Sequence, residues 1–193
     1  MQTPNPTFER TRRFGRSTWR ALVRRAAQLE RWATSAGAST MNGADVNVRS
    51  YTPQDRVACL AIFDGNTPDF FAPFERAEFA AYLDTASANY LVLETATGVI
   101  IGCGGYYVKP VGGVAGLAWG MVDRAWHKRG FGRVLLEARL ALLRSSPDAE
   151  LVRVNTSQNS RGFFERCGFR VLRVVPSGYA QGIDRVESEL ALR

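Results

Sequence analysis

The chain has 193 residues, 46% hydrophobic and 22% charged, the size and balance of one ordinary globular domain with a core and room for a tail. No apolar run approaches the roughly 20 residues of a membrane-spanning helix, and the Arg-rich N-terminus lacks the apolar stretch of about 7–15 residues that marks a secretory leader. Residues 1–40 carry eight arginines against Glu9 and Glu30, which accounts for all but one unit of the net charge of +7, so no nucleic-acid partner is expected for the remainder.

In "TWRALVRRAAQLERWATSAG" (18–37), Trp19, Leu22, Val23, Ala26 and Leu29 recur near helical spacing among arginines. That pattern fits a basic amphipathic helix lying on a membrane or an anionic partner, and equally a solvated, flexible extension. Met41 opens a natural domain start, so residues 1–40 are expected to be a basic extension and 41–193 the main domain.

"VNVRSY" (46–51) alternates as a strand does. "TPQDRVACLAIFDGN" (52–66) predicts a helix, with Thr52 as cap, Pro53 at its first position and Asp55 three residues after the cap. An aromatic connection, "TPDFFA" (67–72), leads to a second helix over 73–86. Residues 89–98 and 99–109 read as a hairpin turning at Ala96–Thr97–Gly98, and 113–122 as a further strand. A helix over 130–144 places Phe131, Val134, Leu135, Ala138 and Leu142 on one face. A strand over 149–156 precedes a short helix over 159–167, with Asn159 as cap and Gly168 as stop. Two last strands, 169–175 and 184–193, are joined by "PSGYAQGI" (176–183), which reads as a loop too long for a tight hairpin. Strands in runs, with interspersed helices, predict a single mixed α/β domain rather than a regular βαβ repeat.

Cys59, Cys103 and Cys167 form no CxxC pair and are too few for a disulfide framework; they read as small apolar residues of a protein in a reducing cytosol, the cytoplasm. His127 is the lone histidine, so multi-histidine metal sites are excluded and no metal is expected. It sits in "AWHKRGFGRVLL" (125–136), where two glycines open a helix beside Lys128, Arg129 and Arg133. The stretch lacks the GxxxxGK[ST] of a phosphate loop, and Leu135 stands where a dinucleotide fingerprint needs its third glycine. A helix start offers unpaired N–H groups and positive potential, and glycine lets a ligand approach the backbone closely; the arrangement suits a pyrophosphate.

"HKRGFG" (127–132), following "AWGMV" (118–122), resembles the acyl-CoA signature [Q/R]xxGx[G/A] of the GNAT N-acetyltransferase family, with His127 departing at the first position. "TSQNSRGFFERCGF" (156–169) is similar to a later segment of that family, and the likeness covers about residues 46–193. It implies a central, mostly antiparallel sheet, splayed beside the strand before the glycine loop and flanked by helices. Acetyl-CoA is then the acyl donor, and an amine of a small molecule or peptide the acceptor.

By the same resemblance, Met121, Val122 and Asp123 border the arm of CoA, and the N–H of Val122 polarises the thioester carbonyl. The loop residues His127, Lys128, Arg129, Gly130, Phe131, Gly132 and Arg133 hold the pyrophosphate. Gln158 stands where the family often has an Asn on the CoA arm, with a turn role as the alternative. Phe164 occupies the place of a frequent tyrosine acid and has no proton to donate; Tyr179 is the substitute candidate. An alkylamine of pKa about 10.4 is neutral in only about one molecule in 2,500 at pH 7, so a proton acceptor is needed. Asp123 is the first candidate, with Asp64, Asp69 and Glu94 as others. Asp69, Phe70, Phe71 and Phe74 are placed at the acceptor site, where the aromatic residues serve as pocket or as core. The expectation is an acetyl-CoA-dependent acyltransferase acting by direct transfer, as monomer or homodimer, with a non-catalytic acyl-CoA-binding module as the alternative.

Overall fold

The computed structural model describes residues 46–85, 89–109 and 111–193; the basic helix expected at 18–37 and the boundary at Met41 lie outside the described residues. Seven strands form one sheet: β1 (Val46–Ser50), β2 (Tyr90–Thr95), β3 (Ile100–Val108), β4 (Val114–Val122), β5 (Leu151–Thr156), β6 (Arg170–Ala180) and β7 (Ile183–Ala191). Their order is β1-β2-β3-β4-β5-β7-β6. All neighbours pair antiparallel except β4 and β5. The helices are α1 (Arg56–Asn66), α2 (Glu75–Thr85), α3 (Phe131–Arg144) and α4 (Gln158–Arg166). The mixed α/β class and the mostly antiparallel sheet stand as the sequence implied. Among the described residues, no helix is long and apolar enough to cross a membrane.

Side chains of a strand alternate between faces, and here the two faces serve two cores. Leu91 and Leu93 turn to α3, whose Leu135, Leu136, Leu140 and Leu143 are buried against them. Tyr90 and Val92 turn the other way, to Cys59 and Phe63 of α1 and Phe79 and Leu83 of α2. Burying each such side chain contributes about 1.5–3 kcal/mol.

"GCGG" marks the place where the sheet is thinnest. A Cβ on Gly104 or Gly120 would stand 2.9 or 2.7 Å from Nη1 of Arg139, a residue of α3 that is only 3% exposed. Burial pushes its guanidinium down to about 10, and its Nε donates to the Leu135 carbonyl at 3.1 Å. On the other face, a Cβ on Gly105 would meet the Tyr82 hydroxyl at 2.5 Å and the Tyr90 ring at 2.8 Å. The glycines therefore make room for side chains that press in from both faces.

Two local expectations are corrected. Residues 176–180 are not a loop but the end of β6, and Ala180 pairs with Ile183 to close the hairpin on two residues, the second being Gly182 at φ 79°. β6 is the edge strand, where a proline's missing N–H leaves no ladder bond broken. A register shift between Val175 and Ala180 absorbs the extra residues. The cap of α4 is Ser157, not Asn159. Its C-terminus does stop at Gly168: Gly168 N–H donates to Glu165 O and Phe169 N–H to Phe164 O, both at 3.0 Å, with Gly168 at φ 89°, a Schellman closure.

At the far edge, Arg49 of β1 binds two carboxylates. It reaches Asp55 at 2.7 Å and Glu94 at 2.9 Å, and Asp55 also accepts the Thr52 N–H at 2.8 Å. Hydrogen bonds from Arg49 hold both carboxyls below their ordinary values. A depressed carboxyl stabilises the fold above its unfolded pKa, about 3.9–4.3, and that contribution is lost as pH falls through the folded values. Arg49→Met should therefore lower stability at pH 7 and flatten its decline below about pH 4, read from denaturation midpoints against pH. The glycines give a pair of opposite sign. Gly105→Ala should cost about 1–3 kcal/mol by overpacking, whereas Gly65→Ala, within α1 and with nothing within 4 Å of its Cβ, should add about 0.5–1 kcal/mol; urea denaturation reads both.

Candidate active site

β4 and β5 pair over only three residues, Val114–Gly116 against Leu151–Arg153. Both strands continue past that point, β4 to Val122 and β5 to Thr156, so a wedge opens between them. On the β4 side, Asp123 N–H donates to Ile101 O of β3 at 2.8 Å. Backbone groups of successive strand residues point to opposite sides, so those of Val122 point away from β3, into the wedge. The Val122 carbonyl is held by Asn66 Nδ2 at 2.9 Å and lies 2.8 Å from His127 Nε2. Its N–H is thereby aimed and carries no ladder bond. Met121 and Asp123, its neighbours, direct their backbone toward β3.

A bulge sets this strand end. The register between β3 and β4 skips between Cys103 and Gly105, and Trp119 takes φ 47°, an outlier for a bulky residue. Surrounding rings hold it: Phe79 at 5.2 Å, Phe71 at 6.2 Å and Phe63 at 6.3 Å between centroids. Tyr90 donates its hydroxyl to Trp119 O at 3.1 Å.

The glycine loop lies directly beyond the wedge. Asp123 caps a 3₁₀ turn (Arg124–Trp126), its Oδ1 accepting the Ala125 N–H at 2.8 Å. Lys128 at φ 60° and Gly130 at φ 88° then turn the chain into α3. The N–H groups of Arg129 through Gly132 donate to no backbone carbonyl among the described residues. Arg129 stacks over Trp126 at 5.2 Å, Phe131 meets Trp126 edge-on at 5.4 Å, and Arg133 reaches Arg166 O at 3.4 Å. His127 turns inward, with Phe70 edge-on at 5.5 Å, so its ring braces β4 rather than facing the loop. A Cβ on Gly132 would find only the Phe163 ring, at 3.5 Å.

On the β5 side, the hydroxyl of Ser157 is buried, 4% exposed, and has no hydrogen-bond partner among the described residues. Gln158 is fully engaged: its Nε2 donates to Gly182 O at 2.8 Å and its Oε1 accepts the Asp184 N–H at 2.9 Å, clasping the β6–β7 turn to α4. Phe164 packs edge-on against Phe163 and Phe169, at 5.1 and 5.2 Å, under the α3 core. Tyr179 stands on β6, and burial followed by the negative charge of Glu75 raises its phenol well above the ordinary value.

The segment before α2 closes the site. Asp69 pairs with Arg124, and its carbonyl accepts from Asn159 Nδ2, so this loop bridges the start of α4 and the 3₁₀ turn. Phe71 is partly buried and packs against the core, 5.0 Å from Phe63, while Phe74 is 61% exposed. Asp64 is tied to Arg76 and Glu94 to Arg49. Three residues here escaped the sequence reading. Asn66, 2% exposed, fell at the end of the helix expected over 52–66, Trp119 within the strand expected over 113–122 and Glu75 within the helix expected over 73–86, and none was given a role. The signal for Glu75 was its place three residues after Ala72, the spacing of a side chain that folds back on a helix start.

Comparison with known proteins agrees with this geometry. The profile of the acetyltransferase (GNAT) family matches residues 59–169, more than half of the chain. No curated protein matches the sequence. A solved structure from Desulfovibrio desulfuricans, described as a GNAT-family acetyltransferase, is 23% identical, with a TM-score of 0.65 over 77% of this chain and 100% of that one. The ribosomal-protein-S18-alanine N-acetyltransferase of Escherichia coli is 20% identical, with 0.62 over 77% and 94%. A GNAT-like decarboxylase, GphF, in complex with isobutyryl-CoA is 24% identical, with 0.63 over 76% and 100%. At these identities the structures are alike in fold. Asn66→Ala should cost about 1–3 kcal/mol, because it strips a buried carbonyl of a donor, whereas Arg76→Ala, which removes the exposed pair with Asp64, should leave the denaturation midpoint nearly unchanged; chemical denaturation distinguishes them.

Proposed function

This chain belongs to the acetyltransferase (GNAT) family, and on that premise we propose that it carries an acetyl group from acetyl-CoA to an amine of a small molecule or peptide by direct transfer. The observation that carries the reading is the wedge between β4 and β5, which opens onto a helix start with free N–H groups.

The residues present fit CoA. A pyrophosphate suits the N–H groups of Arg129 through Gly132 at the N-terminus of α3, with Lys128, Arg129 and Arg133 around it. The buried hydroxyl of Ser157 lacks a partner, as expected of a group that meets the amide-rich arm of CoA. The thioester supplies an activated acyl group. Val122 N–H, aimed by Asn66 and His127, donates to the acyl oxygen as negative charge develops there. Tyr179 keeps its proton, since burial disfavours the phenolate, and it donates to the departing thiolate. Asp123 serves as the cap of the loop rather than as the base. Phe163 and Phe164 hold α4 against α3. Asp69 and Phe70 shape the acceptor side.

Incubation with acetyl-CoA and an amine panel should release free thiol. Tight CoA binding with no thiol release for any amine would turn the reading to a non-catalytic acyl-CoA-binding module. Gly130→Glu, which forces a side chain into a left-handed position and a carboxylate beside the pyrophosphate, should abolish CoA binding in calorimetry; unchanged binding would displace the site.

A further inference from the structure

Several carboxylates of the domain, at its far edge as well as beside the wedge, are committed to partners. Asp55, Asp64, Asp69 and Glu94 are each tied to an arginine, and Asp123 caps its own turn. A carboxylate held by a guanidinium is a poor proton acceptor, because the pairing favours its ionised form. Glu75 differs. It lies in the first turn of α2, half-buried, with no Lys or Arg at salt-bridge distance among the described residues. One oxygen, Oε2, accepts the Ala72 N–H at 2.7 Å, which leaves Oε1 free.

Its position is bounded from both sides of the wedge. The chain from Asn66 on Val122 O passes Phe70 on His127 and Phe71 against Trp119, reaches the fully buried Ala72, and enters α2 at Glu75. Across the wedge, the Gln158 clasp and the Asn159 bond to Asp69 O bring the β6–β7 turn to this same segment. Tyr179 on that hairpin senses the charge of Glu75, together with those of Arg185 and Glu187.

We propose that Glu75 is the proton acceptor for the amine, and that it faces Tyr179 across the mouth through which a cationic amine enters. The inference rests on the transferase reading above. The bound ammonium gives its first proton to Glu75, which returns it to solvent. The neutral nitrogen bonds to the acyl carbon as the carbon–sulfur bond breaks. The nitrogen then gives its second proton to Glu75, which is ionised again, while Tyr179 protonates the thiolate and regains a proton from solvent, so that one proton is released overall. Burial raises the Glu75 carboxyl, with Glu78 on the same helix a smaller contributor and the Ala72 N–H opposing, so it holds a proton more readily than its paired neighbours. Glu78 lies beside it on α2 and Tyr179 is near it on β6, while Arg185 and Glu187 on β7 act on Tyr179.

The test compares Glu75→Gln with the wild type. Glutamine keeps an acceptor oxygen for Ala72 N–H, so thermal unfolding and CoA affinity should stay within about twofold of the wild type. Amine-dependent thiol release should fall about 10²–10⁴-fold in kcat/KM, the range for loss of a general base. Two acceptor classes then separate base from structure: peptide α-amines, pKa about 8, and alkylamines, about 10.4. In the wild type, an acidic limb of kcat/KM should fall at the same pH with both, above the ordinary glutamate value of about 4.3. In Glu75→Gln that limb should vanish, leaving a rise that follows the pKa of each amine. Wild-type turnover fully retained by Glu75→Gln, or a wild-type limb that moves with the amine, would overturn the inference alone. A wild type that binds CoA yet releases no thiol with either class would overturn the transferase reading and this inference with it.

Discussion

A sheet cannot be opened without leaving backbone donors and acceptors unpaired, and this fold opens its own between β4 and β5. After three paired residues the strands part, although each still has length to run. An unpaired buried backbone group costs about as much as a lost hydrogen bond, so the opening persists only where other groups take over. Asn66 and His127 take the Val122 carbonyl. The loop before α2 and the clasp of Gln158 on the β6–β7 turn close the mouth. Among the described residues the Ser157 hydroxyl is left without a partner, and the Val122 N–H carries no ladder bond.

The shape of β4 follows from the same opening. Its bulge at Trp119 is strained, and the strain is tolerated because aromatic rings from α1, α2 and the connecting loop surround it. Behind the sheet, Arg139 occupies space that only glycines at 104 and 120 leave free. Core and site are therefore one problem of packing. The stretch "GCGG" carries no chemistry of its own, but the course of β4 depends on it.

Arginine organises the acidic side chains. With 25 lysines and arginines against 18 acids in the whole chain, most carboxylates near the site find a guanidinium. Those exposed pairs contribute little to stability, yet they decide which carboxylate remains available. Asp123, Asp64, Asp69 and Glu94 were all candidate bases once the likeness to the family was drawn. Their partners lie as far as 55 residues away, as Arg124 does from Asp69, and no local pattern announces such a pairing. Glu75 was passed over for the complementary reason: its burial is conferred by a loop and a hairpin distant in the chain.

Amphipathic periods, caps and glycine positions are local properties, so the helices and strands were legible from the sequence, as was the turn of Gly130 into α3. The likeness of "HKRGFG" and "TSQNSRGFFERCGF" to the GNAT family extended that reading to the splayed sheet. The errors were local too. "PSGYAQGI" has loop composition, but its place on the edge of the sheet lets it pair. Gln158 and His127 have side chains fit for a ligand, but tertiary neighbours engage them first. The sequence by itself determined the elements, the fold and the glycine turn into α3, because those depend on backbone preferences over a few residues. Tertiary structure alone decided which carboxylates an arginine pairs and which backbone groups turn to the wedge, because hydrogen bonds and charges join whatever the fold brings within a few ångströms.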